Sequence, residues 1–212
     1  IHGVMNTDNM VLSGETIGMM SLTESGGGSD PIGNMETVAK RDGDVYRING
    51  SKMWASMANE TDVGVLLAKT NVDASVNEIS AFIVEPKKHS GFDARPIEMI
   101  GLSRALRTNA IFLDDFVVPI ENRLGKEGDG LKIVMRALQP GRVTVAAKAL
   151  GVSRACFEEA IRYANERKLR GQAIGKFQMI QSDIAEMAVA IEASRALVYK
   201  AAQYLDANLP SN

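Results

Sequence analysis

Cysteine occurs once in these 212 residues, at Cys156, and histidine twice, at His2 and His89. One thiol cannot build a disulfide framework within a chain. Two distant imidazoles without a cysteine cluster make no metal site. Cys156 lies in an apolar helical pattern, the setting of a small buried side chain rather than of a nucleophile. Long apolar runs are also missing, and none approaches the roughly 18 residues of a membrane span. The opening IHGVMNTDNM has neither a basic leader nor an apolar centre, so it does not read as a signal peptide. It begins on Ile1 rather than methionine, and the natural start is expected to lie outside it. Charge of one sign is not in excess: 24 Lys and Arg face 26 Asp and Glu, a net −2 that argues against a nucleic-acid partner.

What remains is ordinary globular material. Apolar residues make up 45% and charged residues 24%, enough for the core of one large domain or two small ones. The most unusual stretch is LTESGGGSD, Leu22 to Asp30. Three glycines stand between hydroxyl and carboxylate side chains. Two readings are open on these residues alone: a flexible turn between strands, or a loop whose amides press against a phosphate or a flat ring.

The apolar period divides the chain. Residues 17 to 120 read as strands. IGMMSL is a short apolar run. VAKRDGDVYRINGSKMW carries two tight-turn dipeptides, Asp42-Gly43 and Asn49-Gly50, and so predicts three antiparallel strands in a meander. VGVLLAKT, ISAFIVEP, FDARPIEMI and NAIFLDDFVVP follow, and many short strands imply a sandwich or barrel. After Pro119 the period becomes helical, with an interruption or kink expected at Pro140-Gly141. Phe157, Ala160, Ile161 and Ala164 share one helical face. Past the loop LRGQAIG, a second helix carries Ile180, Ile184, Met187, Ile191, Val198 and Leu205 near helical spacing. Two such helices are half of a usual bundle. The expected class is α+β: an antiparallel β-barrel or sandwich, then part of an up-down helical bundle.

Four ordered stretches resemble the acyl-CoA dehydrogenase family. LTESGGGSD resembles its Leu-Thr-Glu-Pro-Gly-Ala-Gly-Ser-Asp motif, with Ser25 in place of proline. INGSKMWASMA resembles Asn-Gly-x-Lys-x-Trp-Ile-Thr-Asn, with Ser56 where threonine is usual. LDDFVVPIENRLGKEGDG looks like the segment leading into the family's bundle. YANERKLRGQAIGKFQMIQSDIAEM resembles Tyr-x-x-x-Arg-x-x-Phe-Gly-x-x-Ile-x-x-Phe-Gln, with Arg170 replacing an aromatic residue. The resemblance implies a division into a remnant or linker of an N-terminal helical domain (1–13), a middle β-barrel domain (14–125) and the first two long helices of a four-helix bundle (126–212).

The resemblance also implies FAD, and α,β-dehydrogenation of an acyl-CoA. Met20, Leu22 and Thr23 would border the flavin ring, with Gly28 and Ser29 near the pyrophosphate or the pantetheine. Trp54, Ala55 and Ser56 would meet the flavin, Trp54 covering one face. Arg167, Phe177 and Gln178 would reach the FAD of a neighbouring subunit, which implies a homodimer or homotetramer. Ser29, Gln139 and Arg142 would contact substrate. Each has a plainer reading: Thr23 a strand hydroxyl, Ser29 a turn cap, Trp54 a core residue, Arg142 a solvated cation and Arg167 a solvated helix end. The catalytic base has no assigned residue here. One family position falls on Gly141, which can abstract nothing, and the other is expected beyond Asn212. An electron-transfer flavoprotein would be the redox partner, in the cytoplasm of a bacterium or the mitochondrial matrix of a eukaryote. Two alternatives stay open: an oxidase or enoyl-CoA reductase of the same fold, and a non-catalytic flavin- or CoA-binding fragment.

Overall fold

A computed structural model of the chain describes residues 9–12, 16–71, 78–100 and 107–207. It divides into two compact units, Ile1–Leu138 and Gln139–Asn212. The first unit holds β1 (Asn9–Leu12), β2 (Thr16–Ser21), β3 (Val38–Asp42), β4 (Val45–Ser56), β5 (Val63–Asn71), β6 (Glu78–Val84), β7 (Phe92–Ile97), β8 (Thr108–Pro119) and β9 (Arg123–Leu124). Helix α1 runs Gly130–Glu166, a short hairpin joins β10 (Lys168–Leu169) to β11 (Gln172–Ala173), and helix α2 runs Gln178–Asp206.

The strands form one sheet in the order β1-β2-β5-β3-β4-β8-β7, with β6 paired to β5 and β9 to β6. A β domain followed by two long helices is therefore what the sequence predicts. The sheet is mixed rather than purely antiparallel, because β5 runs parallel to both β2 and β3. Among the described residues the strand order does not close on itself.

The expected meander is corrected. Gly43 and Asp44 do form a two-residue hairpin loop between β3 and β4, with Gly43 at φ +61°. Asn49-Gly50 is not a turn. It lies inside β4, where the pairing with β8 slips by one residue between Ile48 and Gly50. The extra residue is on β8, and Asp115 takes φ +47° there. The Asn49 amide clips it: Nδ2 donates to Asp115 Oδ1 at 2.9 Å, and the Asp115 amide donates to Asn49 Oδ1 at 2.9 Å. Gly50 is required by contact as well as by its φ of +145°, since a Cβ would lie 2.7 Å from Thr37 Cα. An Asn-Gly pair thus supplies a bulge instead of a hairpin.

Alternation along β4, β6 and β8 buries Tyr46, Ile48, Phe82, Ile111, Phe116 and Val118 in one cluster. Tyr46 and Phe82 meet edge to face with centroids 4.9 Å apart. A second cluster joins Met35, Leu67, Ile79 and Ala81 to Val134 of the first turns of α1.

In the helical unit the expected interruption at Pro140 is absent, and α1 is continuous through it. The proline removes one amide donor, but the helix continues on both sides. The predicted stripe on α2 is the more protected face except at one position: Ile191 is buried and Ile180, Ile184, Val198 and Leu205 are half-buried, but Met187 is exposed. The loop at Arg170 is a tight turn, with Arg170 at φ +51° and Gly171 at +84°. No described helix is long and apolar enough to cross a membrane.

Candidate functional site

Strand β2 ends at Ser21, and the chain then passes beside β4. The Met53 amide donates to the Thr23 carbonyl at 2.8 Å. The Lys52 ammonium donates to the Leu22 carbonyl at 3.2 Å and to Glu24 Oε1 at 2.7 Å. Two separate sequence motifs are thereby joined through residues 28 to 30 positions apart. Lys52 is wholly buried and Glu24 nearly so. Burial pushes the Lys52 ammonium down to about 8, although the Glu24 carboxylate beside it pulls the other way. Burial raises Glu24, but the Lys52 charge and the Lys52, Thr37 and Glu36 hydrogen bonds prevail and leave it below the ordinary carboxylate value.

The glycine stretch forms two successive turns. The Gly27 amide donates to the Glu24 carbonyl at 3.0 Å, and the Asp30 amide to the Gly27 carbonyl at 2.7 Å. Asp30, not Ser29, caps the following turn, through its Oδ1 and the Gly33 amide at 2.9 Å. Ser29 and Gly28 are exposed, and Gly28 takes φ +42°. At Gly26 a Cβ would meet nothing within 4 Å. The protein itself gives no steric reason for a bare backbone there.

Beyond Lys52 the β4–β8 ladder slips again. Lys52 pairs with Ile111 and Ala55 with Asn109, so β4 carries one extra residue. Trp54 sits in this bulge at φ +65° and is 47% exposed. A bulky aromatic in the left-handed region is uncommon, and such positions cost about 1–3 kcal/mol. The bulge changes the alternation. Lys52 and Ala55 both face inward, while Trp54 is turned out and Ser56 stays half-buried. Ala55 is held by Asn109, whose Nδ2 donates to its carbonyl at 3.2 Å. Met20 and Leu22 are half-buried against the second core cluster. Met20, Leu22, Thr23, Trp54, Ala55 and Ser56 are thus gathered in the β unit around one pair of bonded segments. Gly28 and Ser29 lie on the turn that leaves it.

The helical unit gathers a separate set. The Ile174 amide donates to the Arg167 carbonyl at 2.8 Å, and the Phe177 amide to the Ile174 carbonyl at 3.0 Å. Arg167 is therefore tied through Ile174 to Phe177 and to Gln178, the first residue of α2. Arg167 and Gln178 are exposed and Phe177 is half-buried. On α1, Gln139 and Arg142 are exposed, and Gly141 is buried with no side chain to offer. Among the described residues no cluster of His, Cys, Asp and Glu could hold a metal ion. Cys156, expected buried, is exposed.

Three structural partners were not singled out from the sequence. Glu24 and Lys52 lie inside the quoted motifs, yet nothing in their spacing shows that they pair. Asn109 lies outside those motifs, and its hold on Ala55 depends on the bulge.

The middle-domain model of acyl-CoA dehydrogenases matches residues 19–116, and their C-terminal-domain model matches residues 128–212. The chain belongs to the acyl-CoA dehydrogenase family. It is 43% identical to a glutaryl-CoA dehydrogenase from Desulfococcus multivorans, over 92% of this chain and 49% of that protein. It is 40% identical to the CarC subunit of a caffeyl-CoA reductase-Etf complex from Acetobacterium woodii, over 92% of this chain and 51% of that one. A solved acyl-CoA dehydrogenase complexed with FAD, from Bacillus anthracis, is similar with a TM-score of 0.80 and 33% identity, over 88% of this chain and 31% of that chain. The chain spans about half the length of the curated relatives it matches.

Proposed function

We propose that this chain carries much of the flavin site of an FAD-dependent acyl-CoA dehydrogenase. The observation that carries the reading is the junction of the two motifs at Thr23–Met53 and Glu24–Lys52, with Trp54 turned out beside it. The residues fit a flat cofactor. Gly26 leaves open space where a side chain would stand, and the Trp54 indole is available to stack. Met20, Leu22, Thr23, Ala55 and Ser56 would border the ring, with Gly28 and Ser29 toward the phosphates. Arg167, Phe177 and Gln178 would hold the cofactor of a second subunit in a homodimer or homotetramer. A guanidinium suits pyrophosphate because it can donate two parallel hydrogen bonds.

When bound, the flavin would accept the β-hydride of an acyl-CoA thioester whose α-proton goes to a carboxylate. The residues of this chain would orient and cover rather than abstract: Ser29, Gln139 and Arg142 would contact the substrate, and no residue here is assigned as the base. Electrons would pass to an electron-transfer flavoprotein, in the bacterial cytoplasm or the mitochondrial matrix. A second reading, reduction of an enoyl-CoA on the same site, draws on the similarity to a caffeyl-CoA reductase subunit.

Adding FAD to the apoprotein tests the reading through Trp54, the only tryptophan. Saturable quenching of its emission is expected. Unchanged emission with FAD demonstrably retained on gel filtration would reject the placement of Trp54. Failure to retain FAD at all would reject the flavin site.

A further inference from the structure

Resting on that flavin reading, we propose that the buried Glu24–Lys52 pair is a positioning device that holds the glycine turn and the Trp54 bulge at a fixed separation before any cofactor binds. The bonds fall on consecutive residues. Leu22 and Glu24 are bonded to the Lys52 ammonium, and Thr23 between them to the Met53 amide. Each residue of this triad is thereby fixed to β4 immediately before Trp54. The second function of Glu24 lies on the far side of the glycine turn. Its Oε2 accepts the Glu36 amide at 2.6 Å and its Oε1 accepts the Thr37 amide at 3.1 Å. One carboxylate therefore staples both the entry and the exit of the Ser25–Met35 stretch while it holds β4.

Stability alone is a poor reason for this arrangement. Burial pushes the Lys52 ammonium down to about 8 even with a carboxylate 2.7 Å away, while the same contact holds Glu24 below its ordinary value, so the pair's attraction is offset by the burial of its lysine. An uncharged pair of similar volume would fill the space at no greater cost to the fold. It would not bind the Leu22 carbonyl or hold the Glu36 and Thr37 amides as the charged pair does. Direction is what the charged pair adds, and direction matters where one segment must present a ring-bordering edge and the next an outward indole.

The test uses the 212-residue chain and the variants Glu24→Gln, Lys52→Met and the two combined. Far-ultraviolet circular dichroism reads the fold. The near-ultraviolet band of Trp54 reads the bulge without cofactor, and ultrafiltration with FAD reads affinity. Each single variant is expected to lose most of the indole band and to bind FAD about tenfold or more weakly. The double variant, with no unpaired buried charge, is expected to recover thermal stability but neither the band nor the affinity. A double variant that recovers all three would overturn the proposal, because the pair would then serve the fold alone. Single variants with the wild-type band and affinity would overturn it too. If the single variants do not fold, the double variant decides. If the wild-type chain binds no FAD, the flavin reading fails, and the indole band still shows whether the pair sets the bulge.

Discussion

The β unit buries its own apolar surface, whereas the helical unit leaves much of its apolar surface open. Of the 22 buried apolar residues among those described, 20 lie at or before Val134, and the other two are Ala164 and Ile191. The helices instead expose Val145, Val152, Met179, Val189, Leu197 and Tyr199. A groove of about 670 Å³ between α1 and α2 is lined by Phe157, Met187, Ile191, Leu197 and other small or apolar side chains. Closed packing and open packing respond differently to the same substitution, because a cavity costs energy only where neighbours cannot follow the lost atoms.

The largest effect should separate the two units directly. Phe82 is fully buried against Tyr46, and Leu197 is 68% exposed. Phe82→Ala should cost about 3–5 kcal/mol. Leu197→Ala should stay within about 0.5 kcal/mol. Urea unfolding followed by Trp54 emission for the first, and by far-ultraviolet circular dichroism for both, measures the difference. A large loss from Leu197→Ala would break the comparison, and would mean that the exposed helical face is covered in solution.

Legibility in the sequence follows the same division. Period alone located the long helices and their protected stripe, because a 3.6-residue repeat persists over many turns. Strand existence between residues 17 and 120 was legible too, but β1 at Asn9–Leu12, in the segment read as a helical-domain remnant or linker, was not, and neither was pairing. Whether β5 runs parallel to β2 and β3 depends on contacts between residues more than forty positions apart in one case and about thirty in the other, and local pattern carries no such information. Asn49-Gly50 misled because the same dipeptide serves any site that needs a positive φ, and only the Asp115 clip and the close approach of Thr37 make it a bulge. At Pro140 the rule for helix interiors predicts a break more readily than a long helix shows one. Within the candidate site, the motif residues were visible, while the buried charge pair that joins them was not.

A smaller effect probes the buried lysine of the closed unit. Lys52 is held near 8 in the folded chain against an ordinary value of 10.5. Between those values the unfolded chain binds the proton and the folded chain does not, so stability contributed by this group rises with pH across the window. Relative to Lys52→Met, the wild-type chain should gain on the order of 2 kcal/mol between pH 8 and pH 10.5. The variant serves as reference because other lysines and tyrosines titrate over the same range. Urea midpoints of the two proteins at both pH values measure it. A wild-type advantage that instead shrinks as pH rises would show that the carboxylate outweighs burial at Lys52.

The smallest effect has the opposite sign and belongs to the open unit. Gly151 lies inside α1, is exposed, and has no positive φ. A Cβ at that position would meet nothing within 4 Å. Glycine in a helix interior leaves the unfolded chain more freedom to lose on folding, and no close packing offsets that here. Gly151→Ala should therefore stabilise the helical unit by about 0.4–1 kcal/mol. At Gly50 in the closed unit, the same change would drive a Cβ to within 2.7 Å of Thr37 Cα and should destabilise instead. Thermal melts followed at the helical circular-dichroism band measure the Gly151 effect. A loss of stability from Gly151→Ala would mean that another surface approaches α1 closely at this position, and the face opposite Gly151 would then have to be counted with the packed regions of the molecule rather than the open ones.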